Sequence, residues 1–146
     1  MTTKIFPTAQ DCQNAFYEAL ERSDLEAMMA VWSEDEKIVC VHPAGQRLAG
    51  QVEVREVWRQ MFASGPTMRM RITQQVVIAG VMLEVHSVHE NITVAGEQRP
   101  RPPMVATNVY LRTAAGWRMI AHHASPAPGQ QPAAEPPPPA APKILH

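Results

Sequence analysis

Residues 37–58, KIVCVHPAGQRLAGQVEVREVW, decide the fold. The β-branched run at 37–41 predicts a short strand, and Pro43 ends it after His42 because proline cannot donate to a strand ladder. Gly50 opens a helix whose apolar stripe recurs at helical spacing through Val54 and Trp58. A strand followed by a turn and an amphipathic helix indicates that helices and sheet are mixed in this half of the chain.

Two further helices are predicted before this stretch. Thr8 and Asp11 form a start that resembles a capping box, and apolar residues then recur at helical spacing to about Arg22. Ser23 or Asp24 caps a second, shorter helix. Its buried side is expected to carry Leu25, Met28, Met29 and Trp32.

The residues after Gly65 and Pro66 change to a period of two, which is typical of strands. About four long strands are predicted in meander order, with the last two joined at residues 114–116. Helices first and strands afterwards predict an α+β domain, in which a curved antiparallel sheet wraps around three helices as a cone. The open end of such a cone is a natural ligand pocket.

The end of the chain differs from the rest. Residues 126–146 are rich in proline, which holds the backbone extended and removes hydrogen-bond donors. We therefore predict one folded domain over residues 1–125 and a disordered tail over 126–146. The tail is either bare and solvated or docks its PPPP run into an aromatic groove on a partner.

Composition excludes several classes of function. The chain has 146 residues, a formal net charge of −1 and two isolated cysteines. One domain, no nucleic-acid partner and no membrane partner are expected, because there is no basic field and no apolar stretch long enough to span a bilayer. The absence of a leader-like segment and of paired cysteines favours a cytoplasmic location. Neither metal-ligand spacing nor a nucleotide-binding fingerprint is present, so no metal and no cofactor is predicted.

Two segments resemble a known family. They are FYEALERSDLEAMMAVWSEDEKIVCVHPAGQRLAGQVEVREVW at 16–58 and TNVYLRTAAGWRMIAHHASP at 107–126. The chain resembles the SnoaL-like branch of the nuclear-transport-factor-like superfamily over about residues 8–126. Its relatives include ketosteroid isomerase, scytalone dehydratase, polyketide cyclases and the association domain of calmodulin-dependent kinases. The resemblance implies the cone fold and a homodimer paired through the outer face of the sheet, but no single reaction.

The resemblance also assigns site residues. It implies that His42 occupies the position of the general base of ketosteroid isomerase, just before a proline. The position of the oxyanion-hole tyrosine falls on Phe16, and Tyr17 next to it is expected to face another way. The late strands offer no counterpart of the protonated acid, so steroid isomerase activity as such is not expected. Asn108 is implied to lie in the pocket.

His42 has two interpretations. An imidazole exchanges protons near neutrality, so His42 is a candidate catalytic base. Alternatively, it caps the strand end by hydrogen bonding.

Neighbours on a strand face opposite ways, so only one of His122 and His123 can enter the pocket. Pairing of Arg112 with Trp117 would place His123 on the face of Asn108, and we predict this register. A shift by one residue would place His122 there instead. A further alternative is that the two histidines pack at a subunit interface.

The predicted strand run over residues 81–93 divides into two faces. Glu84, His86 and Glu90 lie on the wetter face, whereas the other face is more apolar. The predicted pocket wall consists of Trp32, Trp58, Asn108, Tyr110 and His123, although tryptophans on helix stripes are usually core residues.

Three functions remain open. The first is an isomerase, dehydratase or cyclase in which His42 moves a proton and Asn108 or Tyr110 holds the developing oxyanion. The second is a protein that binds a small, largely apolar ligand with one polar group. The third is an assembly module with a vestigial pocket.

Overall fold

The computed structural model describes residues 4–35 and 37–127. These residues form three helices and a sheet of six strands. In chain order the elements are α1 (Ala9–Arg22), α2 (Leu25–Val31), β1 (Val39–Val41), β2 (Arg47–Ala49), α3 (Gln51–Ser64), β3 (Met68–Ile78), β4 (Leu83–Val94), β5 (Met104–Thr113) and β6 (Gly116–Pro126). The predicted α+β class and the three helices are confirmed, and β2 is a short strand that the sequence analysis did not predict.

Side-chain caps fix where α1 and α2 begin. The Thr8 hydroxyl accepts a hydrogen bond of 3.0 Å from the backbone N–H of Asp11 at the start of α1. Ser23 takes the left-handed conformation that ends α1, with φ of 53°. Asp24 then caps α2 by accepting from the backbone N–H of Ala27 at 3.0 Å. Ser23 therefore ends α1, and Asp24 begins α2.

The sheet is mixed, which corrects the predicted antiparallel sheet. The strand order is β2-β1-β6-β5-β4-β3, and every neighbouring pair is antiparallel except β1 and β6. Only a tight hairpin connection forces antiparallel pairing, and β1 is separated from β6 by α3 and three long strands. The short strand β1 could therefore dock parallel to the last strand, with Cys40 opposite His122.

A bulge in β6 decides which side chains face the interior. Arg112 pairs with Trp117, as predicted, but the ladder shifts between Tyr110, opposite Met119, and Val109, opposite Ala121. Ile120 is the extra residue.

The core lies between the inner face of the sheet and the helices. Its largest fully buried side chains include Trp32, Trp58, Tyr110 and Phe16. β6 continues to Pro126, and Ala127 is buried with its backbone N–H bonded to Pro103. The rest of the predicted tail lies outside the described residues. None of the described helices combines the length and the apolarity that crossing a membrane requires.

Candidate functional site

The polar face of β4 points into the domain. His86 and Glu90 are buried, and Glu84 beside them is half-buried. The more apolar face of the same strand points outward, where Leu83 is exposed. Buried polar groups need hydrogen-bond partners, so this face indicates a built network rather than an ordinary core.

A tyrosine and a carboxyl group meet at the centre of this network. The Tyr17 hydroxyl donates a hydrogen bond of 2.6 Å to Glu90, and it accepts one of 3.0 Å from the side-chain amide of Asn108. The expectation that Tyr17 faces away was therefore wrong. Glu90 on β4 is a buried carboxyl group that the sequence prediction did not assign to the site.

Burial controls the proton affinities of this pair. It raises the pKa of Glu90 to about 7, although the hydrogen bond from Tyr17 opposes the shift. Burial, together with the charge of Glu90, holds the pKa of the Tyr17 phenol well above its usual value. Near neutrality Tyr17 is therefore a donor, and Glu90 exchanges its proton readily.

Gln13 on α1 joins the strands from the helix side. Its carbonyl oxygen accepts from the Tyr110 hydroxyl at 2.8 Å and from the Asn108 amide at 3.2 Å. It also lies 2.9 Å from Nδ1 of His86, whose Nε2 lies 2.6 Å from a Glu84 oxygen. One helix residue thus holds side chains of β4 and β5 in place.

His42 lies where its strand ends and faces the interior. Its ring meets the Trp58 ring edge to face, with centroids 4.6 Å apart, and lies 6.2 Å from the ring of His122. Nε2 of His42 is 3.5 Å from the Cys40 sulfur. Burial lowers the pKa of His42 to about 4, so the ring is neutral at pH 7. Its catalytic role stays a prediction.

His122, not His123, shares a face with Asn108, so the predicted register at this point was wrong. The two residues are opposite each other in the ladder, and Nδ1 of His122 lies 2.6 Å from the Asn108 carbonyl oxygen. The bulge at Ile120 causes the change. His123 is exposed on the outer face, beside Thr107 and Val109. Burial lowers the pKa of His122 to about 3, and His42 contributes.

The other predicted wall residues are core residues. Trp32 and Trp58 are fully buried, and Trp58 packs edge to face on Phe16 with centroids 5.7 Å apart. Asn108 and Tyr110 are fully buried in the network described above. Whether any of them contacts a ligand stays a prediction.

A cleft of about 630 Å³ opens between α1 and β3. Gln13 and Tyr17 form part of its wall, which connects the cleft to the buried network. His42 is not among the lining residues, which are Gln10, Gln13, Asn14, Tyr17, Glu18, Glu21, Arg22, Ile72 and Gln75.

The described residues suit acid–base chemistry. A hydroxyl donor, a carboxyl group that titrates near neutrality and the neutral imidazole of His122 lie in one network that reaches the cleft. In residues 4–35 and 37–127, no group of three or more His, Cys, Asp or Glu residues could hold a metal ion.

Sequence reasoning did not propose Gln13, Tyr17 or Glu90 as site residues, and it named His122 only as the alternative to His123. One signal was available for part of this set: Glu84, His86 and Glu90 alternate on one face of a long strand. Three polar residues on the inner face of a sheet would point to a network, but the sequence alone does not say which face is inner.

Comparison with known proteins agrees with the fold. A family model described as SnoaL-like domain matches residues 10–129. No curated protein matches the chain.

Two solved structures are similar in sequence as well as in fold. The first is a candidate association domain of a type II calcium/calmodulin-dependent protein kinase from Thiobacillus denitrificans, with 41% identity, a TM-score of 0.80, and coverage of 85% of this chain and 98% of that one. The second is a candidate dehydratase of the NTF2-like family from Streptomyces avermitilis, with 31% identity, a TM-score of 0.72, and coverage of 80% and 91%.

A candidate ketosteroid isomerase from Parabacteroides distasonis shares the fold at 17% identity and a TM-score of 0.67, covering 82% of this chain and 88% of that one. These matches define a SnoaL-like, NTF2-like α+β protein. The chain belongs to the SnoaL-like domain family.

Proposed function

We propose that the protein is a small-molecule enzyme of the isomerase, dehydratase or cyclase kind. It would move a proton at a carbonyl or hydroxyl group of a ligand bound in the cleft between α1 and β3. The observation that carries this proposal is the 2.6 Å hydrogen bond from Tyr17 to Glu90, because Tyr17 also forms part of the cleft wall.

The proposed step passes one proton through Tyr17. When Glu90 is protonated, it gives its proton to the Tyr17 oxygen as Tyr17 gives its own proton to a substrate oxygen. The reverse sequence takes a proton from the substrate. Both directions are accessible near neutrality because the pKa of Glu90 is about 7.

The geometry favours Glu90 over His42 as the titrating group. His42 does not line the cleft, and a pKa of about 4 makes it a weak base at neutral pH. The cleft wall consists largely of amides and charged groups, with Ile72 as an apolar contact. This wall favours a ligand with more hydrogen-bonding groups than the largely apolar one that the sequence predicts.

The test is an NMR titration with a panel of small carbonyl, enol and carboxylate compounds, followed by turnover assays on the compounds that bind. Glu90→Gln and Tyr17→Phe should each lower kcat by about 10²–10⁴-fold, the usual contribution of general acid–base groups. Glu56→Gln is the control, since Glu56 on α3 is an exposed carboxylate paired with Arg59 and does not line the cleft. Full activity in both network variants would contradict the proposal, and binding without turnover would favour the ligand-binding alternative.

A second candidate function is self-association. The relative with 41% identity is named as an association domain. On this chain, neighbouring ends of β3 and β4 expose apolar side chains on the outer face, including Val76, Ile78 and Leu83 at 59%, 64% and 46% exposure. Exposed apolar patches commonly mark protein interfaces. We propose that this patch contacts a second copy of the chain.

Light scattering after size exclusion tests the association. The wild type should be a homodimer or a larger closed oligomer, and Ile78→Lys should shift it towards monomer. Arg69→Lys is the control, because it preserves the charge of an exposed side chain on the same strand. A monomeric wild type at about 100 μM, a concentration at which stable interfaces persist, would refute the proposal.

A further inference from the structure

We propose that Asn108 is a positioning residue that fixes the proton of His122 on Nδ1. The other ring nitrogen, Nε2, is then a bare acceptor that faces Glu90. This inference rests on the proposed proton transfer and adds His122 to it as a hydrogen-bond acceptor beside the carboxyl group.

The ionised carboxylate of Glu90 sets the direction of the first bond. A carboxylate can only accept, so the hydrogen bond of 2.6 Å must use the single proton of the Tyr17 hydroxyl. The Tyr17 oxygen then has only lone pairs left. Its second contact, 3.0 Å from the side chain of Asn108, must therefore receive a proton from the Asn108 amide nitrogen.

The orientation of Asn108 sets the proton of His122. With its nitrogen towards Tyr17, the Asn108 carbonyl oxygen points to Nδ1 of His122 at 2.6 Å. An oxygen of this kind only accepts, so Nδ1 must carry a proton. The buried His122 ring is neutral at pH 7, since its pKa is lowered to about 3, and it therefore has no second proton for Nε2.

The amide of Asn108 is held from a second side. Its nitrogen also donates to the Gln13 carbonyl oxygen at 3.2 Å, and the same oxygen accepts from the Tyr110 hydroxyl at 2.8 Å. A flipped Asn108 would turn its oxygen towards the Gln13 oxygen. All these atoms are shielded from water, so the lost bonds could not be replaced by solvent.

The bare nitrogen lies next to the carboxyl group. Nε2 of His122 is 4.0 Å from an oxygen of Glu90. The lone pairs of Nε2 and of the Glu90 oxygen repel each other at this distance. A proton between the two atoms would remove this repulsion. A small movement would therefore let protonated Glu90 donate a hydrogen bond to Nε2 of His122, and the proton stays on the carboxyl group because the pKa of His122 is the lower of the two.

The test is a long-range ¹H–¹⁵N spectrum of the histidine side chains at about pH 9, well above the Glu90 pKa of about 7. In the wild type, Nδ1 of His122 should show the shift of a protonated ring nitrogen and Nε2 that of a bare one. In Asn108→Leu the two shifts should exchange, because the acceptor for Nδ1 is gone. Asn108→Asp keeps an acceptor oxygen and should keep the wild-type pattern, and the exposed Asn14→Leu on α1 is the control.

The outcomes are distinct from those of the turnover assay. A wild-type His122 with its proton on Nε2, or an Asn108→Leu variant that keeps the proton on Nδ1, would overturn the inference even if the enzyme turns over. The wild-type spectrum and Asn108→Asp decide the question if Asn108→Leu does not fold. The expected pattern in a protein without turnover would refute only the proposed function.

Discussion

Glu90 makes the stability of this fold depend on pH. Its pKa is about 7 in the folded chain, above the ordinary value of 4.5. Between these two values the folded state binds more protons than the unfolded state, so this group makes the protein less stable as the pH rises through the window. The direction is opposite to that of a carboxylate in a salt bridge.

Replacing Glu90 with glutamine should remove this loss. The free energy of unfolding of Glu90→Gln, taken relative to the wild type, should be higher at pH 8 than at pH 5 by on the order of 3 kcal/mol. The reason is that glutamine mimics the protonated acid and never ionises. Urea unfolding at the two pH values measures the difference. An equal stability difference at both pH values would show that the Glu90 carboxyl group is not shifted by burial.

His42 should act with the opposite sign. Its pKa falls from 6.5 to about 4 on folding, so the stability it contributes is present above pH 6.5 and is lost as the pH falls towards 4. The free energy of unfolding of His42→Gln, taken relative to the wild type, should be about 2 kcal/mol more favourable at pH 5 than at pH 8. His123→Gln is the matched control, since His123 is exposed on the outer face. If the free energy of unfolding of His42→Gln falls between pH 8 and pH 5 as much as that of the wild type, the His42 ring is in contact with solvent.

At the scale of elements, local signals predict the helices well. The cap at Thr8, the stop at Ser23 and the start after Gly50 are each encoded within a few residues, and the observed helices begin at Ala9, Leu25 and Gln51. The parallel pairing of β1 with β6 could not be predicted in this way. It depends on contacts between residues about eighty positions apart, such as Cys40 and His122.

Local sequence signals also could not predict which face of the sheet carries the site. Alternation along β4 separates Glu84, His86 and Glu90 from the apolar face, but apolar residues are expected inside. The polar face turns inward here because Gln13 and Tyr17 on α1 supply its partners. A signal of this kind lies in two distant segments, and neither segment alone reveals it.

The β6 bulge offers a test of how register positions the site. Deleting Ile120 should leave His122 opposite Asn108, because this residue is the one that the ladder already skips. Deleting Thr107, in the regular part of β5, should reverse the facing of the residues on one side of the deletion and unfold the domain. Amide exchange and thermal unfolding measure both variants. A folded Thr107 deletion beside an unfolded Ile120 deletion would contradict this assignment of the bulge.

At the scale of the whole molecule, hydrogen bonds connect α1 to three strands through the interior. Gln13 reaches His86 on β4 and Tyr110 on β5, and Asn108 continues the path to His122 on β6. A core built in this way is stable only while every member has its partner, since buried donors cannot turn to water. Gln13 matters most to this network, because its carbonyl oxygen accepts hydrogen bonds from three side chains.

Removing that oxygen should therefore destabilise the entire fold. Gln13→Leu keeps the volume roughly constant but leaves the donors of Tyr110, Asn108 and His86 without an acceptor. We expect a loss of about 3 kcal/mol or more in the free energy of unfolding, measured with urea. Gln60→Leu is the matched control, since Gln60 on α3 is exposed, its side-chain amide contacts only the exposed Glu56 among the described residues, and its replacement should cost well under 1 kcal/mol. Gln13→Glu keeps an acceptor oxygen and should recover part of the loss, and equal costs for the two leucine variants would mean that the network does not hold the fold together.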